Sequence, residues 1–123
     1  MLMPRVLIVD DDDNQRILYR ELFEEDGFEV REAHDGREAL TFIERDPPDV
    51  VVLDINMPGM DGLQTLARIH DINRYLPVIL HSAYAAYKDQ FVSWIADAYV
   101  TKSSNLDDLT QAVRAVLAKR AGA

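Results

Sequence analysis

Five short runs of strand length, separated by segments with helical spacing, constrain the fold of this chain more than any other feature. Val6–Val9 and Val50–Leu53 are apolar at every position, and Val78–Leu80 follows a proline. A strand that is apolar on both faces needs cover on both faces, as in a parallel sheet between two layers of helices. The predicted strands are Val6–Val9, Phe28–Ala33, Val50–Leu53, Val78–Leu80 and Ala98–Thr101.

The segments between these runs have the periodicity of amphipathic helices. In the first segment, Ile17, Leu18 and Leu22 are predicted to form the apolar face. The last has the clearest boundary signals, with Ser104 or Asn105 as N-cap and acidic residues in its first turn. The predicted helices are Asn14–Glu25, Asp35–Asp46, Gly62–Asp71, Tyr84–Ala96 and Asn105–Lys119. Strict alternation of five strands and five helices predicts an α/β fold with a single doubly wound, five-stranded parallel sheet and right-handed crossovers.

Composition narrows the class of protein. A chain of 123 residues, 48% of them apolar, fits one domain, 1–123, with its core over about 5–119. There is no cysteine, no visible signal peptide and no run near the ~18 apolar residues of a membrane span, so we expect a cytoplasmic domain without membrane contact. The net charge of −9 disfavours direct binding to nucleic acid phosphates.

Polar side chains that could bind a ligand or take part in a reaction follow four of the five predicted strands. The first strand is followed by Asp10–Asp13, the third by Asp54, the fourth by Ser82 and the fifth by Lys102. The carboxyl ends of parallel strands meet at one edge of the sheet, which is where ligands bind in open α/β folds. We therefore expect these groups to share one site.

Several carboxylates at one edge need positive charge nearby. At ~5 Å and an effective dielectric of ~20, each pair of carboxylates repels by roughly 3 kcal/mol. Lys102 supplies one positive charge, and Mg2+ is a suitable second source because it binds a few carboxylate oxygens and keeps room for water and phosphate oxygens. A nucleophilic carboxylate, a metal, a cation and a hydroxyl are also the groups that phosphoryl transfer uses.

Three segments together resemble the receiver domains of two-component response regulators. They are Val6–Asp12, Val52–Gly62 and Ala98–Lys102, and the resemblance extends over Arg5–Lys119. It implies the flavodoxin-like fold of chemotaxis regulators, (βα)5 with strand order 2-1-3-4-5. It also implies a phosphoacceptor signalling domain that catalyses its own phosphorylation and dephosphorylation, with a histidine kinase or phosphotransfer protein as donor and an unknown output protein as partner.

The resemblance also implies roles for individual residues. Asp54 would be the phosphoacceptor. Mg2+ would be held by Asp11 directly, by Asp10 largely through water, by Asp54, and by the backbone carbonyl of Asn56.

Two further residues would contact the phosphoryl oxygens, and a third would change its position when one of these two moves. Ser82 would hydrogen-bond the phosphoryl group and Lys102 would pair with its oxygens. Tyr99 would turn inward as Ser82 moves toward the phosphate, so that Ser82 and Tyr99 form the switch.

Three positions depart from the family pattern. Ser103 replaces the usual proline after the lysine, so we expect a trans Lys102–Ser103 peptide, since cis costs ~3–4 kcal/mol without proline. Ile95 replaces a common glycine, which predicts a different local helix end. Tyr84 lies two residues past Ser82, at a position whose side chain in this family faces the phosphoryl group and influences how fast it is hydrolysed.

Other interpretations remain. Asp12 and Asp13 are expected to cap the first helix rather than serve the site. A small Mg2+-dependent aspartyl-phosphate phosphatase would want a second Asp two residues after Asp54, where this chain has Asn56. A phosphorylation-independent pseudo-receiver would not need the full set of site residues.

Overall fold

The computed structural model describes residues 3–57, 59–83, 95–102 and 105–121, and within them five strands form one sheet. The sheet has the order β2-β1-β3-β4-β5, and every neighbouring pair of strands is parallel. This confirms the predicted fold class and strand order. The strands are β1 (Arg5–Val9), β2 (Glu29–Ala33), β3 (Val50–Asp54), β4 (Val78–Ser82) and β5 (Ala98–Thr101).

Four helices are present in the described residues, within two residues of the predicted boundaries. They are α1 (Asp13–Glu25), α2 (Gly36–Arg45), α3 (Gly62–Ile72) and α4 (Asp107–Ala121). Most of the helix predicted over Tyr84–Ala96 lies outside the described residues, as does the Lys102–Ser103 peptide.

Alternate residues of the central strands enter two separate hydrophobic cores. On one face Leu7, Val9 and Leu53 pack with residues of α2 and α3, such as Ile43 and Leu66. The other face has a core of its own, formed with α1 and α4; its members include Val6, Ile8, Val52, Ile79, Tyr19, Phe23, Leu109 and Val113. The continuous apolar runs are explained by this double burial.

Acidic residues cap the N-termini of the three helices that follow β1, β2 and β3. Asp12, Asp35 and Asp61 are the N-caps of α1, α2 and α3, and each accepts hydrogen bonds from backbone N–H groups of the first turn. Asn105 Oδ1 accepts from the Asp107 N–H at 3.1 Å just before α4. The capping prediction for Asp12 is therefore confirmed, and the caps determine where α1, α2 and α3 begin.

The apolar face predicted for α1 is wrong. Ile17 and Leu18 are 53% and 43% exposed, whereas Tyr19 and Phe23 are buried against the sheet. The Phe23 ring packs edge-to-face on Phe28 at 5.4 Å between centroids. Two apolar stripes with helical spacing run along α1, and the one that carries the larger aromatic surface faces the core.

The structure also bears on the backbone conformation at Ile95 and on the expected absence of a membrane-spanning segment. Gly27 and Gly59 are the described residues with positive φ, so Ile95 does not adopt the left-handed conformation that glycine would allow. Within the described ranges, no helix has the length and apolar character needed to cross a bilayer.

The corrected face of α1 predicts unequal effects of two substitutions on the same helix. Phe23→Ala should lower the free energy of unfolding by about 3–5 kcal/mol, because it opens a cavity in a closed core. Leu18→Ala, the matched control, should lower it by less than about 1 kcal/mol, because the side chain already contacts water. Urea unfolding measures both values, and equal losses would contradict the assigned face.

Candidate functional site

The predicted site residues meet at the carboxyl edge of the sheet. Asp10 follows β1, Asp54 ends β3, Ser82 ends β4 and Lys102 follows β5. Asp10, Asp54 and Ser82 are buried. The backbone N–H of Lys102 donates to the Ser82 carbonyl at 2.6 Å, which joins the last two strand ends just below the site. The strand order therefore brings residues 10, 54, 82 and 102 to one place.

Lys102 lies between two carboxylates. Its Nζ is 3.1 Å from Asp10 Oδ2 and 3.5 Å from Asp54 Oδ2. The Lys102 side chain is 16% exposed, against 3% for Asp10 and 7% for Asp54, so this contact is shielded from water. An ion pair in such surroundings is stronger than one at the surface, and leaving either carboxylate unpaired would be costly.

A third carboxylate completes an acidic cluster. Asp10, Asp11 and Asp54 each offer one carboxylate oxygen, and these oxygens lie within 4.8 Å of one another. Asp11 is exposed, so the cluster opens to solvent on its side. Hard divalent cations bind oxygen ligands in this arrangement, and the three residues are the ones that could hold a metal ion here.

Backbone hydrogen bonds hold the acidic side chains in place. Asp10 Oδ1 accepts from the Asp12 N–H at 2.9 Å, and Asp54 Oδ1 accepts from the Asn56 N–H at 3.3 Å. Arg16 Nη1 donates to the Asp10 carbonyl at 2.6 Å, which ties α1 to the turn that carries the acids. Each carboxylate therefore keeps its second oxygen directed toward Lys102.

Burial changes the acidity of Asp54. The pKa of its carboxyl rises to about 6 because burial disfavours the charged form, and the nearby Asp10 charge raises it further. Lys102 and the Asn56 N–H act in the opposite direction and stabilise the carboxylate. Above pH 6 the group is mainly ionised and can act as a nucleophile.

Glycine at the start of α3 allows the helix to touch the backbone of the site. A Cβ at Gly62 would lie 2.2 Å from the Asp54 carbonyl oxygen and 2.4 Å from the Ile55 Cα. The Gly62 N–H donates to the Ile55 carbonyl at 2.8 Å. The sequence analysis assigned Gly62 no role in the site. A glycine directly after the N-cap Asp61 was the only local indication that the helix and the backbone come close together here.

Two aromatic rings lie beneath the cluster. Tyr19 and His81 pack edge-to-face at 5.1 Å between centroids. Burial raises the pKa of Tyr19 to about 12, with a further contribution from the Asp10 and Asp54 charges. Burial, and then the Lys102 charge, lowers the pKa of His81 to about 4, so its ring is neutral at physiological pH. Both rings are thus uncharged packing surface below the acids.

One further residue near Lys102 was missed by sequence reasoning. Gln15 Oε1 accepts a hydrogen bond from Lys102 Nζ at 2.5 Å. No motif marks this glutamine, and only its spacing of four from the buried Tyr19 shows that it belongs to the sheet-facing side of α1. Tyr99, predicted as the switch aromatic, is half-buried on β5 and packs against the core shared with α2 and α3.

Among curated relatives, the matching region covers nearly the whole of one protein and less than half of another. Sporulation initiation phosphotransferase F of Bacillus subtilis is 33% identical over 119 residues, which cover 95% of this chain and 96% of that protein. The transcriptional regulatory protein TrcR of Mycobacterium tuberculosis is 36% identical over 115 residues. These cover 92% of this chain and 45% of TrcR, so the chain spans less than half the length of that relative.

Solved structures agree with the fold. The response regulator protein TrrA from Thermotoga maritima, in complex with Mg(2+)-BeF, superposes with a TM-score of 0.90 at 40% identity, covering 93% of this chain and 99% of that chain. A complex of the histidine kinase ThkA with TrrA gives a TM-score of 0.88 at 41% identity, covering 94% and 99%.

A family model agrees with these relatives. The model for the response regulator receiver domain matches residues 6–114, nearly the whole of the sheet and its helices. Together with the strand order and the acidic cluster around Lys102, this match shows that the chain belongs to the response regulator receiver domain family.

Proposed function

We propose that the chain is a phosphoacceptor signalling domain in which Asp54 receives a phosphoryl group from a histidine kinase or phosphotransfer protein. The observation that carries the proposal is the position of Lys102 Nζ between Asp10 and Asp54, with the Asp11 carboxylate completing the cluster. The complex of TrrA with the kinase ThkA and the Mg(2+)-BeF complex of TrrA support the partner and the chemistry. We also propose that residues 1–123 form a single receiver domain.

Phosphoryl transfer would proceed by attack of one Asp54 carboxylate oxygen on the phosphorus of a phosphohistidine. The new O–P bond forms as the P–N bond breaks, and the electron pair stays on the imidazole nitrogen, which then takes a proton from solvent. Asp54 needs no general base for this step, because above pH 6 its carboxyl is already ionised. Loss of the phosphoryl group would follow by attack of water on the same phosphorus: the O–P bond to Asp54 breaks, its electron pair returns to the carboxylate, and inorganic phosphate leaves while a proton of the water passes to solvent.

Mg2+ fits the donor set and would supply positive charge to the oxygens of the transferring group. Asp10, Asp11 and Asp54 would hold it through their carboxylates, and Asn56 through its backbone carbonyl. The three carboxylates against one ammonium leave negative charge that a divalent cation would offset.

Lys102 and Ser82 would receive the phosphoryl oxygens. Lys102 Nζ already lies 3.5 Å from Asp54 Oδ2, so it can follow the charge from the carboxylate to the phosphoryl group without a large movement. Ser82 is fully buried at the end of β4 and shares a backbone hydrogen bond with Lys102. A phosphoryl group adds up to about two negative charges, which charge-assisted hydrogen bonds of this kind stabilise.

Movement of Ser82 toward the phosphate would be transmitted through Tyr99. Tyr99 is on β5, which pairs with β4, and β4 in turn pairs with the strand that carries Asp54. The Tyr99 side chain is partly buried and packs against the edge of the core. A shift from 1:99 to 99:1 needs about 5.5 kcal/mol of differential stabilisation, which a few charge-assisted hydrogen bonds can supply. The face around β5 and the start of α4 would then be read by an output protein.

The alternative of an aspartyl-phosphate phosphatase gains no support from the geometry. Two residues after Asp54 stands Asn56, whose amide side chain cannot exchange a proton as an acid or base. Catalysis would therefore be limited to the chain's own phosphorylation and dephosphorylation.

Labelling by a small phosphodonor tests the acceptor. With Mg2+ and phosphoramidate, the intact mass should increase by one phosphoryl group, and Asp54→Asn should show no increase because an amide is not a nucleophile. Chelation with EDTA should suppress the labelling, and Asp11→Asn should weaken it at least tenfold by removing a metal ligand. Full labelling of Asp54→Asn would sink the proposal.

The buried charge of Asp54 predicts a stability effect with a defined pH dependence. In EDTA, the folded protein retains the Asp54 proton up to about pH 6, whereas the unfolded chain loses it near 3.8. The contribution of Asp54 to the free energy of unfolding should therefore fall as pH rises from about 4 to 6, by an amount on the order of 3 kcal/mol, since each pKa unit corresponds to ~1.36 kcal/mol. Asp54→Asn lacks this ionisation and should be more stable than the unmutated protein at pH 7, but not below pH 4.

The control for this measurement is Asp71→Asn, which removes the same charge from an exposed position in the last turn of α3. It should change the free energy of unfolding by a few tenths of a kcal/mol at either pH. Urea unfolding at pH 4 and pH 7 measures both variants. Destabilisation of Asp54→Asn at pH 7 would contradict the assignment of a buried, unfavourable charge.

Beryllofluoride with Mg2+ tests the switch by NMR. The ring resonances of Tyr99 and the amides of the first turn of α4 should shift together with those of the acidic turns. In Ser82→Ala the acidic turns should still respond while the Tyr99 shift is reduced, because the connecting hydroxyl is gone. A response confined to residues near Asp10, Asp54 and Lys102 in the unmutated protein would exclude this route.

A further inference from the structure

The ammonium group of Lys102 has three acceptors of different kinds. Its Nζ lies 3.1 Å from Asp10 Oδ2, 3.5 Å from Asp54 Oδ2 and 2.5 Å from Gln15 Oε1. A lysine ammonium has three N–H donors, so each can be directed at one of these oxygens. The shortest of the three contacts is made to the neutral side chain.

Gln15 is itself held rigidly at the start of α1. Its backbone N–H donates to Asp12 Oδ1 at 3.2 Å, as part of the N-cap of the helix. The next residue, Arg16, donates to the Asp10 carbonyl and pairs with Asp13 and Glu32. Tyr19, one turn further along, is buried against His81. The backbone of Gln15 is therefore fixed relative to the turn that carries Asp10, and its side chain extends from there to Lys102.

The neutral charge of Gln15 matters at this position. A lysine side chain has four rotatable bonds, and holding its end in one place costs conformational entropy. A carboxylate acceptor could also hold the ammonium, but it would add a fourth negative charge beside Asp10, Asp11 and Asp54. An amide oxygen accepts the hydrogen bond without adding repulsion for an incoming phosphoryl group.

We propose that Gln15 is a positioning residue for phosphoryl transfer, which holds the Lys102 ammonium in place beside Asp54 before the phosphodonor arrives. The inference rests on the proposed function. Electrostatic stabilisation of a developing charge is most effective when the donor is already in place, because no reorganisation is needed during the reaction. Within the described part of the chain, Gln15 forms no hydrogen bond with Asp54, so it acts through Lys102.

The test is a double-mutant cycle on the rate of phosphorylation by phosphoramidate in saturating Mg2+. Gln15→Leu keeps the size and helix propensity of the side chain but removes the acceptor, and it should slow phosphorylation roughly five- to tenfold. In a Lys102→Ala background the same substitution should have no further effect, because the group that it positions is absent. A merely structural role of Gln15 would slow the reaction equally in both backgrounds.

Gln111→Leu provides the matched control, since it makes the same chemical change at an exposed position on α4. It should leave the rate unchanged, and thermal unfolding of all variants checks that each is folded at the assay temperature. An unchanged or faster rate in Gln15→Leu, or an equal loss in the Lys102→Ala background, would overturn the inference while leaving the proposed function standing. Failure of the unmutated chain to accept a phosphoryl group would instead overturn the proposed function.

Discussion

The placement of one ammonium group among three carboxylates is the interaction on which the site depends. Parallel pairing of β1 with β3 puts Asp10 and Asp54 at adjacent strand ends, where their charges repel. Lys102 arrives from β5, two strands away from β3, and reaches both of them. The Lys102 charge lowers the pKa of Asp54, but burial of the carboxyl, with a smaller contribution from the Asp10 charge, outweighs it and keeps the pKa raised. Three carboxylates still stand against one ammonium. The site thus keeps a negative potential suited to a divalent cation.

The surrounding fold holds this unfavourable arrangement together. Both faces of the sheet are closed by helices, and the apolar cores of the central strands lie directly below the acids. Gly62 lets α3 pack against the backbone of Asp54, and the Asp12 cap starts α1 immediately after Asp10 and Asp11. Hydrophobic burial of the strands therefore stabilises a cluster of charges that would otherwise move apart.

The first helix shows where prediction from the sequence fails. Residues 17, 18 and 22 have helical spacing and are aliphatic, and so they were predicted to face the core. The side that faces the sheet instead carries Gln15, Tyr19 and Phe23, spaced by four. Both stripes satisfy the same periodicity, and a polar residue at the head of the second one conceals it. The choice between them depends on the rotation at which the capped helix leaves β1, which periodicity does not contain.

The sequence by itself determined the strands, the parallel sheet and the edge at which Asp10, Asp54, Ser82 and Lys102 meet, because apolar runs and strand ends are local features that a parallel topology converts directly into positions. Tertiary structure alone decided which side of α1 is buried, that Gln15 reaches Lys102, and that α3 touches the backbone of Asp54. These contacts join residues far apart in the chain, such as 15 and 102, and depend on the distances and rotations of packed elements. No local pattern of residue types records those distances.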